Sequence, residues 1–175
     1  MMNLEIGPRS NLHIDGASIT WRNFEGRPGP YNREGERSFS LIIPTEEIKD
    51  ALVNDVNRFG AGWNVRIRPP REEGDTPFMH LPVKVSFNDR GPKVYLDNGF
   101  NIRELDEDTV GLLDRIEIRS VDLDIRPYDN VVRDKPYRTA YLKGIWVYQE
   151  VDRFASRYEM EAEEDALAEM ESPRE

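Results

Sequence analysis

Leu81, Val83, Val85 and Phe87 alternate with Pro82, Lys84 and Ser86, the longest strict two-residue period in the chain. A helix would scatter those four apolar side chains around its axis, whereas a strand puts all of them on one face. The stretch predicts a half-buried β-strand, and shorter runs of the same period surround it. Ala17, Ile19 and Trp21 share one parity, and so do Phe39, Leu41 and Ile43 before Pro44 ends the run. A Gly/Pro/Asn-rich stretch from Gly26 to Gly35 predicts a long loop between them. Val65 and Ile67 alternate with Arg66 and Arg68 up to Pro69-Pro70. Asn88-Asp89-Arg90-Gly91 predicts a turn into a returning strand at Val94-Tyr95-Leu96. Ile116 and Ile118 are even but Val121, Leu123 and Ile125 are odd, a switch that predicts a β-bulge near Arg119-Ser120. A last strand is expected from Tyr137 to Val151.

Two helices interrupt this pattern. Thr45 caps the first, Glu46 and Glu47 favour its first turn, and Ile48, Leu52, Val56 and Phe59 form its stripe until Gly60 or Gly62. A second, short helix is expected over Asp106–Asp114, with Val110 and Leu113 turned inward. From Asp152 the Glu/Ala/Met-rich sequence predicts a helix with the stripe Phe154, Tyr158, Ala162 and Ala166, leading into an acidic tail. The division is thus a β domain over 1–151 and a C-terminal helix and tail over 152–175. A mainly β chain with one or two inserted helices fits a small closed or partly closed barrel of the OB-fold type. A β-sandwich is the alternative that periodicity leaves open.

Composition narrows the chemistry. The absence of cysteine excludes disulfides, thiolate zinc sites and a cysteine nucleophile, and two histidines, His13 and His80, exclude a histidine-rich metal site. No apolar run approaches the roughly 18 residues of a membrane helix, and Met1–Ser10 has no export-signal pattern. A cytoplasmic domain with no cofactor, no metal and no membrane contact is expected. The formal net charge of −10 argues against a polyanionic partner only on average. Glu159 to Glu175 holds eight acidic residues and one basic, a net of −7, which leaves −3 for residues 1–158. The acids Glu159, Glu161, Glu163, Glu164, Asp165, Glu169 and Glu171 form a candidate partner-binding tail on a nearly balanced body.

That body interleaves cations with rings in three places. Trp21-Arg22-Asn23-Phe24 leads into a loop bearing Tyr31. Trp63 is followed by Arg66 and Arg68, and Arg126 and Tyr128 by Arg133, Lys135, Tyr137, Arg138, Tyr141 and Lys143 around an expected hairpin loop. Single-stranded nucleic acid requires this mixture, cations that follow phosphates and flat rings on which unpaired bases stack. For each ring taken singly, the ordinary alternative is burial in the core.

Other chemistries lack their residues. Asp122 and Asp124 share one strand face and Asp106-Glu107-Asp108 opens a helix, without the lysine or histidine companions of a metal-dependent nuclease. No Gly-x-Ser-x-Gly and no glycine-rich phosphate loop ending in Lys-Ser/Thr is present, so no enzymatic activity is expected.

Two segments resemble phage single-stranded DNA-binding proteins. They are Ser18-Ile19-Thr20-Trp21-Arg22-Asn23-Phe24 with Ser38-Phe39-Ser40-Leu41-Ile42-Ile43-Pro44, and Asp124-Ile125-Arg126-Pro127-Tyr128 with Leu142-Lys143-Gly144-Ile145-Trp146-Val147. The resemblance implies an OB-fold and cooperative or homodimeric coating of single strands during phage replication and recombination in the host cytoplasm. It also implies an acidic C-terminal tail that recruits replication or recombination proteins. The competing reading is a non-enzymatic protein-interaction module, such as an acidic DNA mimic that inhibits a host enzyme.

Overall fold

The computed structural model describes residues 1–151. The expected C-terminal helix and the acidic tail lie outside the described residues.

Ten strands make one sheet: β1 (Asn3–Ile6), β2 (Leu12–Ala17), β3 (Ile19–Asn23), β4 (Arg37–Ile42), β5 (Arg66–Arg68), β6 (Phe78–Val85), β7 (Lys93–Asp97), β8 (Ile102–Leu105), β9 (Ile118–Val132) and β10 (Lys135–Gln149). The main path runs β1-β2-β9-β10-β6-β4-β3, with β5 on β6, β7 on β10 and β8 on β7. No ladder joins β1 to β3 among the described residues, so the expected barrel is an open, branched sheet. The branch follows from the length of β10. It pairs in parallel with β6 at Ala140 and Tyr141, then with β7 from Gly144 to Tyr148.

The strand periods hold, with informative breaks. In the β9–β10 ladder Tyr148 faces Ser120 and Gln149 faces Ile118, so Arg119 is the extra residue of the expected bulge. A second bulge falls at Lys143, between the pairs Leu142–Ile125 and Gly144–Asp124. The run through Ala17, Ile19 and Trp21 is two strands rather than one, and the short edge strands β1 and β8 carried no clear alternation. Arg133 and Asp134, both at positive φ, make the two-residue turn of the β9–β10 hairpin.

Helix α1 (Glu46–Asn54) starts as expected, with the Thr45 hydroxyl accepting from the Ile48 N–H at 3.2 Å. It stops before its predicted stripe is complete, and Val56 and Phe59 are exposed. Asp55 ends it by turning its carboxylate to Trp63 Nε1, at 2.9 Å, and to Arg138. Gly62 lies so close under the Val53 carbonyl that no Cβ fits there. The second expected helix is a short 3-10 turn, Val110–Asp114, with Val110 and Leu113 fully buried. Phe24, Phe39, Leu41, Leu81, Val83 and Ile125 are at the centre of the core. No helix among the described residues is long and apolar enough to cross a membrane.

Candidate nucleic-acid interface

Residues paired across a ladder point to the same face of a sheet, so register decides which side chains share a surface. Arg126 pairs with Tyr141, Tyr141 with Lys84, and Lys84 with Ser38. This row crosses β9, β10, β6 and β4 on the outer face, opposite buried Ile125, Leu142, Val83 and Phe39. His80 is on the same face of β6 as Lys84, and it pairs with Arg66 as Phe78 pairs with Arg68. Tyr128 on β9 and Tyr137 on β10 share the parity of Arg126 and Tyr141. Two distant sequence clusters therefore meet on one surface.

The first station centres on Trp21. Between the pairs Thr20–Ser40 and Asn23–Ser38, Trp21 and Arg22 oppose a single residue, and Trp21 takes φ +48°. This bulge turns the indole onto the outer face, where its ring meets Phe78 at 5.4 Å and His80 at 4.8 Å, edge-on in both cases. Arg68 lies over the indole at 5.6 Å. Trp21 is still 51% exposed, and Pro69, Pro70 and Arg71 complete a cavity of about 650 Å³ beside it. His80 bonds Ser40 through Nδ1 at 3.1 Å. Burial, then the charges of Arg66 and Arg68, push its pKa below the ordinary imidazole value, which favours the neutral ring.

The second station is on the hairpin. Tyr128, 51% exposed, meets Tyr141 edge-on at 5.9 Å, and the Arg126 guanidinium covers Tyr141 at 4.9 Å. Lys135 lies over Tyr137 at 5.7 Å, and Arg133 is exposed at the turn. From Tyr141 a groove of about 640 Å³ runs past Lys84, Arg37 and the fully exposed Tyr31. A neighbouring cavity of about 430 Å³, sharing Ser86, holds Arg126, Arg90 and Lys143. Among the described residues, Arg66, Arg68, Lys84 and Arg126 have no carboxylate within ion-pair distance.

Four expected site residues are not on this surface. Phe24 is fully buried and stacked on Phe39 at 5.3 Å, so it offers no ring face. Trp63 is buried, with its N–H held by Asp55. Arg138 is on the inner face, paired with Asp129 at 2.9 Å and Asp55 at 3.1 Å. Arg22 donates to the carbonyls of Leu113 and Ile116 at 2.6 and 2.8 Å, which ties down the 3-10 turn. Conversely, Phe78, His80 and Lys84 lie on this face, His80 as a buried ring beneath Trp21, and were not among the expected residues. Their signal was parity: Phe78, His80 and Lys84 fall on the side of the strand opposite Leu81, Val83 and Val85.

Asp122 and Asp124, which share a strand face, are each engaged by neighbouring groups. Asp122 accepts from the Gly16 N–H and the Tyr148 hydroxyl, and Asp124 pairs with His13 at 2.6 Å. Among the described residues no group of three or more His, Asp or Glu could hold a metal ion.

The sequence profile of the phage ssDNA-binding domain family matches residues 2–174. Three solved structures of the single-stranded DNA-binding protein from bacteriophage Enc34 are similar in fold. The complex with ssDNA gives a TM-score of 0.53 at 14% identity, covering 86% of this chain and 92% of that one. A C-terminal truncation gives 0.52 at 13% identity, covering 86% and 92%. A third structure of that protein gives 0.51 at 14% identity, covering 86% and 87%. No curated protein matches the chain.

Proposed function

The chain belongs to the phage ssDNA-binding domain family, and from that premise we propose that it binds single-stranded DNA on the outer face of its sheet, without regard to sequence. The row Arg126–Tyr141–Lys84 carries this reading, because it sets a ring between two cations free to meet phosphates. Bases stack on Trp21, Tyr128, Tyr137 and Tyr141, each contact worth about 1–3 kcal/mol whatever the base. Arg66, Arg68, Lys84, Arg126, Arg133 and Lys135 follow the backbone, and Tyr31 offers a further ring at the groove's edge. The surface rewards unpaired strands, since the bases of a duplex turn their faces to each other rather than to a ring.

The working role is a non-catalytic coat over single strands in phage replication and recombination, laid down in the host cytoplasm as single copies or homodimers. The acidic residues beyond 151 recruit replication or recombination proteins. Fluorescence anisotropy with a labelled oligo-dT strand and a duplex of equal length tests the core of this reading. Saturable binding of the single strand, tighter than that of the duplex, is expected. Equal or weaker binding of the single strand would overturn it.

A further inference from the structure

The face opposite the stacking surface holds an ion cluster that DNA binding does not use. Arg138 donates from Nε and Nη2 to both oxygens of Asp129, at 2.9 and 3.2 Å. Its Nη1 donates to the backbone carbonyl and the carboxylate of Asp55, at 2.9 and 3.1 Å. Asn57 donates to Asp129 at 3.0 Å and to the Tyr137 carbonyl at 3.2 Å, while the guanidinium lies over Trp63 at 5.6 Å. Arg138 is nearly buried, so each of these bonds is made largely out of water.

The position of the cluster matters more than its strength. The ladder between β10 and β6 has two pairs, Ala140–Val83 and Tyr141–Lys84. Towards the hairpin turn the two strands part, and residues 63–68 enter the fork. Trp63 bridges Arg138, the Asn64 N–H donates to the Arg138 carbonyl at 3.2 Å, and Arg66–Arg68 then pair with Phe78–His80. The inserted segment carries the arginines of the Trp21 station, and the hairpin carries Tyr128, Tyr137 and Tyr141. The Tyr141–Lys84 pair ties the two stations together at the closed end of the fork, and what fastens the inserted segment to the hairpin fixes their spacing at the open end.

We infer that Arg138, Asp129, Asp55 and Asn57 form a positioning cluster that locks the two stacking stations into one continuous track for a single strand. The inference rests on the DNA-binding reading above. Two stations on a rigid frame act on a long strand as linked sites, whose joint affinity depends on their fixed separation. A strand too short to span them engages one station and does not sense the lock.

The test compares oligo-dT strands of roughly 4 and roughly 16 nucleotides, the limits typical of one such domain. It uses the full chain and the variants Arg138→Lys and Asp129→Asn. Wild type gains affinity with length. Arg138→Lys is expected to lose about tenfold on the long strand and less than about twofold on the short one. Asp129→Asn leaves Arg138 paired with Asp55, so it keeps the fold and loses length-dependence by a smaller factor; it decides the matter if Arg138→Lys does not fold. Equal losses on both strands, or an unchanged long-to-short ratio in a folded variant, would overturn the positioning role. Wild-type chain that binds neither strand would instead sink the DNA-binding reading on which it rests.

Discussion

The Trp21 indole stands edge-on to the His80 imidazole, ring centroids 4.8 Å apart, although the two belong to strands separated by β4. Only the bulge in β3 makes this contact, because it holds a bulky residue at φ +48°, a conformation with a real steric cost. The result is a ring supported from beneath by Phe78 and His80 and still half open to solvent. Trp21→Ala should therefore weaken single-strand binding by about 1–3 kcal/mol, the stacking magnitude. The slope of affinity against salt should stay unchanged, since no charge is lost. Titration of the variant with oligo-dT at several salt concentrations checks both, and a changed slope with unchanged affinity would refute the assignment.

His80 also gives the fold a pH dependence. Its folded pKa lies below the ordinary value, so near pH 6.5 and lower the unfolded chain binds the proton more readily than the folded one. The stability it confers is intact above about 6.5 and falls as pH drops below that value. Asp129 acts in a different window. Burial raises its pKa, but hydrogen bonds from Arg138 and Asn57 outweigh this and leave it below the ordinary carboxylate value. Its contribution is present above about 3.9 and is lost as pH falls through the lower folded value. His80→Gln should flatten the melting temperature between about pH 7 and pH 5. An unchanged slope in that range would show that another group titrates there.

Parity made half of the interface legible and hid the rest. Trp21 and Phe24 sit three apart, so a strand sends them to opposite faces, and composition alone grouped them together. Arg138 alternates with Ala140 and Leu142, both buried, while Tyr137 alternates with Thr139 and Tyr141. That spacing already assigns the arginine to the inner face. The Arg119 bulge was legible because apolar residues lie on both sides of it; the Trp21 bulge was not, because polar Arg22 and Asn23 follow. Nor does any local pattern tell β6 to pair with β10, or residues 63–68 to enter the fork between them. Those are long-range choices made by the shared core.

The buried ring gives a contrasting expectation. Phe24 is sealed against Phe39, and Phe24→Ala should cost about 3–5 kcal/mol of stability through lost burial and the cavity left behind. Affinity per folded molecule should not change. Denaturant unfolding followed by oligo-dT titration at the lowest usable temperature separates the two effects. A folded variant with weakened binding would return Phe24 to the interface.

Salt provides the broadest check on the surface as a whole. Each phosphate neutralised on a single strand contributes about −0.7 to the slope of log K against log salt. Arg126 and Lys84 flank Tyr141 in one row and have no carboxylate partner among the described residues, so both are placed to meet phosphates. Arg126→Ala and Lys84→Ala should each make the slope shallower by about 0.7, with similar losses for every base composition. Arg119→Ala removes the same charge at the other end of the β9–β10 ribbon, from a side chain paired with Glu150 at 3.4 Å. Because the slope counts local contacts rather than net charge, that variant should keep the wild-type value. If all three variants shift the slope equally, the chain responds to overall charge alone and the row across β9, β10 and β6 is not the track.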